Sequence, residues 1–463
     1  MKRFIDFTEE ILKNEHTQTL RILGREMRLK SPTTKSKDQL IKEIIARQKG
    51  ELAPQEPSRK GAPTKTDTAI LSKFLIEDIP YGNGVENPGK IVFNDSDKES
   101  FVTEGVLEIL NGNNYGFLRV KNYDVSSKDI YVSGENIKKF GLRKGDYVSA
   151  TAKRNENADA PALVDVIKIN DVEFRGVLDR PNFDDLTSKY PDVKFNLNLK
   201  SNDYDLRCID LFSPIGKGQR GIIVAPPKTG KTTLIKKVAT AIETNHKDVK
   251  LFVLLIDERP EEVNDFRRSV LGEVISSTFD AGYERHVKVS ELVLNRAKRL
   301  VEMGKDVVIV MDSITRLARA YNNVITPSGR TLSGGLDPMA LQAPKRFFGS
   351  ARALEQGGSL TIISTALVDT ESRMDEVIYE EFKGTGNMEL HLDRNLAENR
   401  VFPAINVLKS GTRKEELLLS KDTLDGAYKI RRALSGKPDA TQTVLGLMEK
   451  TESNDQLIAK FKA

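Results

Sequence analysis

The chain has 463 residues, 38% of them hydrophobic, and a formal net charge of +5, so it can bury a core and wholesale disorder is excluded. It contains no run of about 18 apolar residues. Its first residues, MKRFIDFTEE, lack the apolar stretch of a secretion signal, so a cytoplasmic location is expected. One cysteine, Cys208, excludes an internal disulfide framework, and four scattered histidines offer no zinc spacing.

Residues 1–75 carry 16 Lys and Arg against 10 Asp and Glu, whereas the remainder carries 56 against 57. This basic excess suits a polyanion, because neutralising phosphates releases counterions. A solvated basic arm accounts for the charge alone at least as well. Within residues 1–50, Ile11, Leu12, Leu20, Ile22, Leu23, Met27 and Leu29 have amphipathic helical spacing, and a further helix begins near Asp38. Residues 51–68 are rich in Pro, Lys and Thr and read as a linker, and residues 76–100 read as a loop insertion.

From 101 to about 175 the pattern changes to short alternating strands: FVTEGVLEIL, YGFLRV, DIYVS, DYVSATA and ALVDVIKI, broken by Gly and Asn turns. Five such strands suit a small OB/cold-shock-like barrel. In the remainder, 176–463, the apolar strands GIIVAP, KLFVLLID, DVVIVMD and SLTIISTAL alternate with helical patterns at 232–243, 287–303 and 345–355. Apolar strands separated by helices predict an α/β domain, a parallel sheet with helices on both faces.

The segment Ala225-Pro-Pro-Lys-Thr-Gly-Lys-Thr-Thr matches the phosphate loop G-x-x-x-x-G-K-[ST], with Ala225 in place of the first Gly. A strand precedes it and a helix follows, so backbone N–H groups and the helix N-terminus form an anion cradle. Lys231 would reach the β- and γ-phosphates of ATP, and the Thr232 hydroxyl would bind Mg²⁺. Two other strands end in acids. Asp312 reads as the carboxylate that orients Mg²⁺, and Glu258 as the group that polarises the attacking water. Either acid alone could simply cap a helix or a turn. An arginine from outside the pocket commonly stabilises the transferring phosphoryl group, and Arg400 and Arg413 are candidates.

VAPPKTGKTTL, LLIDERPEEV, DSITRLARAYN, PKRFFGSAR, DEVIYEEFKGTGNMELHLDR and SGTRKEELL resemble the ATPase domain of the Rho family of bacterial transcription terminators. The resemblance runs almost continuously from about Leu211 to Leu418. It implies a RecA-type motor preceded by an RNA-binding barrel and a small N-terminal helical unit, assembling as a homohexamer with ATP between subunits. Carried over residue by residue, it implies that Gly216, Lys217, Gly218, Gln219, Arg220, Gly221, Lys228, Thr229, Gly230, Lys231, Thr232, Thr233 and Arg259 contact the nucleotide. It also implies that Phe402 lies against the adenine, and that Arg413 and Arg400 act across the interface.

Asn114, Tyr115, Gly116, Phe117, Leu118 and Arg119 resemble the first ribonucleoprotein motif of cold-shock and Rho barrels. Tyr115 and Phe117 alternate along a strand and would stack unpaired bases, with Arg119 near phosphates or base edges. Asp129, Ile130 and Tyr131 would complete the pocket. The same aromatics could instead fill the barrel core. Tyr115 stands where Rho proteins commonly have Phe, and Ala158–Val164 stands where they often carry charged and aromatic residues, so RNA binding is implied more directly than cytidine preference. The glycine-rich loop 326–337, with Arg330, and the loop 369–373, with Arg373, align with the family's RNA-gripping channel loops. On this reading the chain is an RNA-dependent ATPase and 5′-to-3′ translocase that binds nascent single-stranded RNA and releases it from RNA polymerase, with elongation factors as possible further partners. Another RecA-type motor, or an RNA-binding scaffold switched by nucleotide, stays open on the ATPase motifs alone.

Overall fold

The computed structural model describes Leu12, Leu29 and residues 17–26, 34–48, 100–110, 112–154, 160–174 and 179–462. The linker at 51–68, the insertion at 76–100 except Ser100, and Ala158 and Asp159 lie outside the described residues. The chain divides into two compact units, Met1–Gly84 and Val85–Ala463.

In the first unit, α1 (Thr17–Glu26) and α2 (Lys37–Gln48) bury Leu20, Leu23, Leu40, Ile41 and Ile44, the apolar stripe expected of two short amphipathic helices. Ser36 and Gln39 start α2 with a reciprocal pair of bonds. The Ser36 N–H donates to Gln39 Oε1, and the Gln39 N–H donates to Ser36 Oγ.

The second unit begins with a six-stranded sheet: β1 (Ser100–Ile109), β2 (Gly116–Arg119), β3 (Ile130–Val132), β4 (Tyr147–Lys153), β5 (Ala162–Ile169) and β6 (Val172–Glu173), in the order β3-β2-β1-β4-β5-β6. Pairing of Tyr131 with Ala162 closes β3 onto β5 and completes the barrel. Leu107, Leu118, Ile130, Val132, Val148, Ala150 and Val166 fill it. Gly116 permits the close approach of β2 to β1, since a Cβ there would lie 2.3 Å from the Glu108 carbonyl oxygen.

The second sheet comprises β7 (Ser188–Lys189), β8 (Arg220–Ala225), β9 (Lys250–Glu258), β10 (Glu273–Thr278), β11 (Asp306–Asp312), β12 (Arg352–Leu354), β13 (Ser359–Leu367), β14 (Met388–His391) and β15 (Gly411–Thr412). Its order is β10-β9-β11-β13-β8-β14-β15, parallel from β10 to β14, with β12 antiparallel on β13 and β7 antiparallel on β12. Successive residues face opposite layers. Leu251, Val253 and Leu255 pack with α3 (Lys231–Asn245) and α4 (Pro260–Ser269), while Phe252, Leu254 and Ile256 pack with α5 (Tyr283–Val301), α6 (Ile314–Val324) and α7 (Arg373–Lys383). Strands apolar on every position are thus covered on both faces, as a parallel sheet requires.

The helical pattern read at 345–355 ends early. The helix is Gln342–Gly349, and Arg352–Leu354 form β12. Gly349 and Ser350 break the helix, and the edge of β13 captures the next residues.

The barrel docks on α5. Gly145 meets the helix backbone so closely that a Cβ there would lie 2.4 Å from the Asn295 carbonyl carbon. The Asn122 side-chain amide donates to the Ser276 carbonyl at 2.9 Å, and Arg285 pairs with Asp124 at 2.8 Å. Among the described residues no helix is long and apolar enough to cross a membrane.

Candidate nucleotide and RNA sites

The phosphate loop follows β8 directly. Lys228 (φ +64°) and Gly230 (φ +84°) hold left-handed backbone, which turns the chain sharply into α3, and Thr229 Oγ1 donates to the Pro226 carbonyl at 2.8 Å. Lys231 opens α3 and Thr232 is its second residue. β9 and β11 end on the same side of the sheet and bring their terminal acids to this lysine. Lys231 Nζ lies 2.6 Å from Asp312 Oδ1 and 3.5 Å from Glu258 Oε1. Thr365, from β13, donates to Asp312 Oδ1 at 2.7 Å, and Thr232 Oγ1 donates to Glu262 Oε2 at 3.2 Å.

Glu258 is buried and is also 3.3 Å from Arg316 Nη1. Burial pushes its carboxyl above the usual range, and the charge of Asp312 pushes the same way, against Lys231 and Arg316. Asp312 Oδ2 is buried without a hydrogen-bond partner. The unpaired carboxylate oxygen of Asp312 and the hydroxyl of Thr232 are both hard-oxygen donors, the chemistry that suits a Mg²⁺ that keeps several waters and takes few protein ligands.

Phe402 stands beside the loop, its ring 3.8 Å from where a Gly230 Cβ would be, and is 49% exposed. Thr233 is exposed on the first turn of α3. Arg259 precedes α4 and lines an adjoining cavity of about 410 Å³ with Asp257, Phe279, Arg316 and Arg319.

The expected contact set divides in two. Gly216, Lys217, Gly218, Gln219, Arg220 and Gly221 lead into the start of β8, at the end of the sheet opposite the phosphate loop. There Lys217 pairs with Asp306 at 2.6 Å, the Gly218 N–H donates to Thr361, and Gln219 bonds Asn387. Six residues of parallel strand put roughly 17 Å between this end and the loop. None of the six can therefore touch a nucleotide held by this chain's own Lys231. Arg413 belongs to the same far end. It follows β15, its N–H donates to the Asn387 carbonyl at 2.8 Å, and its charge bears on Arg220 and Glu389. Arg413 is exposed there, and Arg400 is exposed two residues before Phe402.

On the barrel, Phe117 pairs across strands with Tyr131. Their rings and that of Tyr115 form a half-buried cluster with centroids 5.7–6.2 Å apart, on the face turned away from the core. Leu118 and Ile130, expected in the RNA contact, turn inward and are 0% and 1% exposed, so they support the pocket from inside the barrel. Asn114 is exposed at the rim. Arg119 and Asp129 are buried behind the rings, paired at 2.6 Å, with the Arg119 guanidinium 5.1 Å from the Phe117 ring centroid. Asp129 also accepts from Ser126 N–H and Oγ at 2.9 Å each, so its carboxylate is engaged within the barrel. Arg119 further pairs with Glu108, a partner that strand patterning alone did not single out.

The loops 326–337 and 369–373, expected to grip RNA, meet. Gly334 in the first lies against the Arg373–Met374 backbone of the second. Arg330 and Arg373 are both exposed.

Residues 103–174 match the family described as Rho termination factor, RNA-binding domain, and residues 205–412 match the ATP synthase alpha/beta family, nucleotide-binding domain. The chain is 57% identical over 354 residues to transcription termination factor Rho of Bacillus subtilis, covering 76% of this chain and 83% of that one. It is 52% identical over 371 residues to transcription termination factor Rho of Thermotoga maritima, covering 78% and 87%. Among solved structures, an ATPase of a bacterial type III secretion system aligns with a TM-score of 0.52 at 24% identity, over 67% of this chain and 93% of that one. That likeness speaks to the RecA-like fold alone.

Proposed function

This chain belongs to the family of transcription termination factor Rho, an RNA-binding ATP hydrolase that ends transcription, and we propose that it works as a homohexameric ring that hauls single-stranded RNA 5′-to-3′ and pulls it from RNA polymerase. The observation that carries this reading is the division of the nucleotide residues between two ends of one sheet. Lys231, Thr232, Glu258 and Asp312 converge at one end, and Arg413 with the Gly216–Gly221 segment lies at the other. A neighbouring copy that presents its far end to this chain's phosphate loop would complete the site.

In this mechanism Lys231 leaves its carboxylate partners to bind the β- and γ-phosphates. Thr232 and the unpaired oxygen of Asp312 would hold a Mg²⁺, which would supply charge neutralisation for the transferring phosphoryl group. Glu258, held by Arg316, accepts a hydrogen bond from the attacking water and aligns it. Arg413 of the neighbour, with Arg400, faces the charge that builds on the transferred phosphoryl group. Phe402 packs against the adenine. Nascent RNA stacks first on Tyr115, Phe117 and Tyr131 and is then gripped in the channel by the loops bearing Arg330 and Arg373.

ATPase assays with poly-cytidine, poly-uridine and single-stranded DNA as activators test the reading. RNA is expected to stimulate turnover at least tenfold, DNA far less. Equal turnover with and without RNA would sink it.

A further inference from the structure

Glu108, on β1 of the barrel, is 6% exposed and receives two cations on one carboxylate oxygen. One is Arg119, whose Nε and Nη2 both reach Oε2. The other is Lys288 of α5 in the motor, whose Nζ lies 3.1 Å from the same Oε2. Arg119 is the cation that touches the aromatic cluster, 5.1 Å from the Phe117 centroid, and it also pairs with Asp129 at 2.6 Å. The four side chains therefore form a row running from the face of the RNA-binding rings to a motor helix. Two acids and two bases alternate along it: Asp129, Arg119, Glu108, Lys288.

A buried carboxylate needs a full positive charge beside it, and one left unpaired is costly. If Arg119 were the only partner of Glu108, turning toward a base edge or phosphate would strand that carboxylate in the barrel wall. With Lys288 on the same oxygen, Glu108 keeps a partner while Arg119 turns. Lys288 is itself about a third exposed, with 32% of its side chain accessible, so water remains available to it as the balance shifts.

We propose that Lys288, a motor residue, is a positioning residue of the RNA-binding pocket: it holds Glu108 so that Arg119 can turn to the RNA bound on Tyr115, Phe117 and Tyr131. The barrel's affinity for RNA is then set partly by α5. The same helix also carries Arg285, paired with Asp124 at 2.8 Å, and His286, which bonds Ser277 beside the catalytic strands. This proposal rests on the reading of the aromatic cluster as an RNA site.

The test uses the full-length protein and a fluorescent cytidine dinucleotide, too short to span from barrel to channel, with binding read by anisotropy. Lys288→Met should weaken binding about fivefold, the size of a partly exposed ion pair. Lys288→Arg should restore it to within about twofold, since the charge returns. Adding Glu108→Gln to Lys288→Met should recover most of the loss, because the carboxylate that captures Arg119 is then neutral. A purely structural role for Lys288 would give no such recovery. Phe117→Ala serves as the separate control. If Phe117→Ala binds the dinucleotide as well as the parent protein, the pocket reading itself falls. If Phe117→Ala loses binding while Lys288→Met and Lys288→Gln both bind like the parent, the pocket stands and the role of Lys288 is overturned. Loss in Lys288→Met without recovery in the double variant overturns it as well.

Discussion

In the proposed mechanism Glu258 sits between two demands: catalysis needs it ionised, and its burial favours the protonated form. Burial raises its carboxyl pKa above the ordinary 4.5, and Asp312 adds to the shift. A group raised in the native state binds a proton more readily there than in the unfolded chain. The ionised carboxylate therefore costs stability above its native pKa, and that cost disappears as the pH falls below 4.5. Glu258→Gln removes the charge while keeping the shape. It is expected to lower RNA-stimulated turnover by roughly 100-fold or more and to raise the melting temperature at pH 7.5. The thermal gain should shrink as the scans are repeated toward pH 4. A variant less stable than the parent at pH 7.5 would mean that Lys231 and Arg316 outweigh burial at this site. In the parent enzyme, turnover should fall with acidification through a pKa above 4.5, as Glu258 takes up a proton.

The loop 326–337 packs directly on the Arg373–Met374 backbone, because Gly334 has φ +78° and no room for a side chain. A Cβ there would meet the Met374 amide nitrogen at 2.5 Å and the Arg373 carbonyl carbon at 2.8 Å. Gly334→Ala must push the loops apart or strain the backbone. It should abolish stimulation of the ATPase by long RNA while cytidine dinucleotide binding to the barrel stays within about twofold. Loss of both activities would show that the loops also support the barrel. Elements of this kind were readable in sequence to the degree that their cause was local. β9, β11 and β13 announce themselves by unbroken apolar runs, and the phosphate loop by a strand, a glycine and a helix in succession. β14 was missed because its four residues alternate buried and half-buried, which four residues of surface loop would also do. Gly216–Gly221 was named only through the family resemblance, and nothing in six residues says at which end of a sheet they will lie. Arg316, Glu262 and Glu108 were passed over for the same reason. Their importance comes from partners on other elements, and a charged residue on a helix or strand reads as a solvated face until those partners are known.

At the scale of the assembly, the proposed ring gives each chain two half-sites at opposite ends of one sheet, and this makes a complementation experiment decisive. Lys231→Ala removes the phosphate-binding lysine but leaves Arg413. Arg413→Ala removes the far-end arginine but leaves Lys231 with Asp312 and Glu258. Either protein alone should be inactive, since every seam lacks one partner. When the two are mixed under conditions that let subunits exchange, a seam is intact wherever an Arg413→Ala chain offers its phosphate loop to the far end of a Lys231→Ala chain. Random mixing at equal concentrations places about a quarter of seams in that state. RNA-stimulated ATPase should therefore reappear from two dead preparations, rise with mixing time as subunits exchange, and peak near equal proportions. Were Arg413 to serve its own chain's nucleotide, no arrangement of the two variants could bring both groups to one phosphate, and the mixture would stay as inactive as its components. The roughly 17 Å of strand between the two ends of β8 argues for recovery, because an arginine fixed beside Asn387 cannot cross that distance without unpairing β15 from β14.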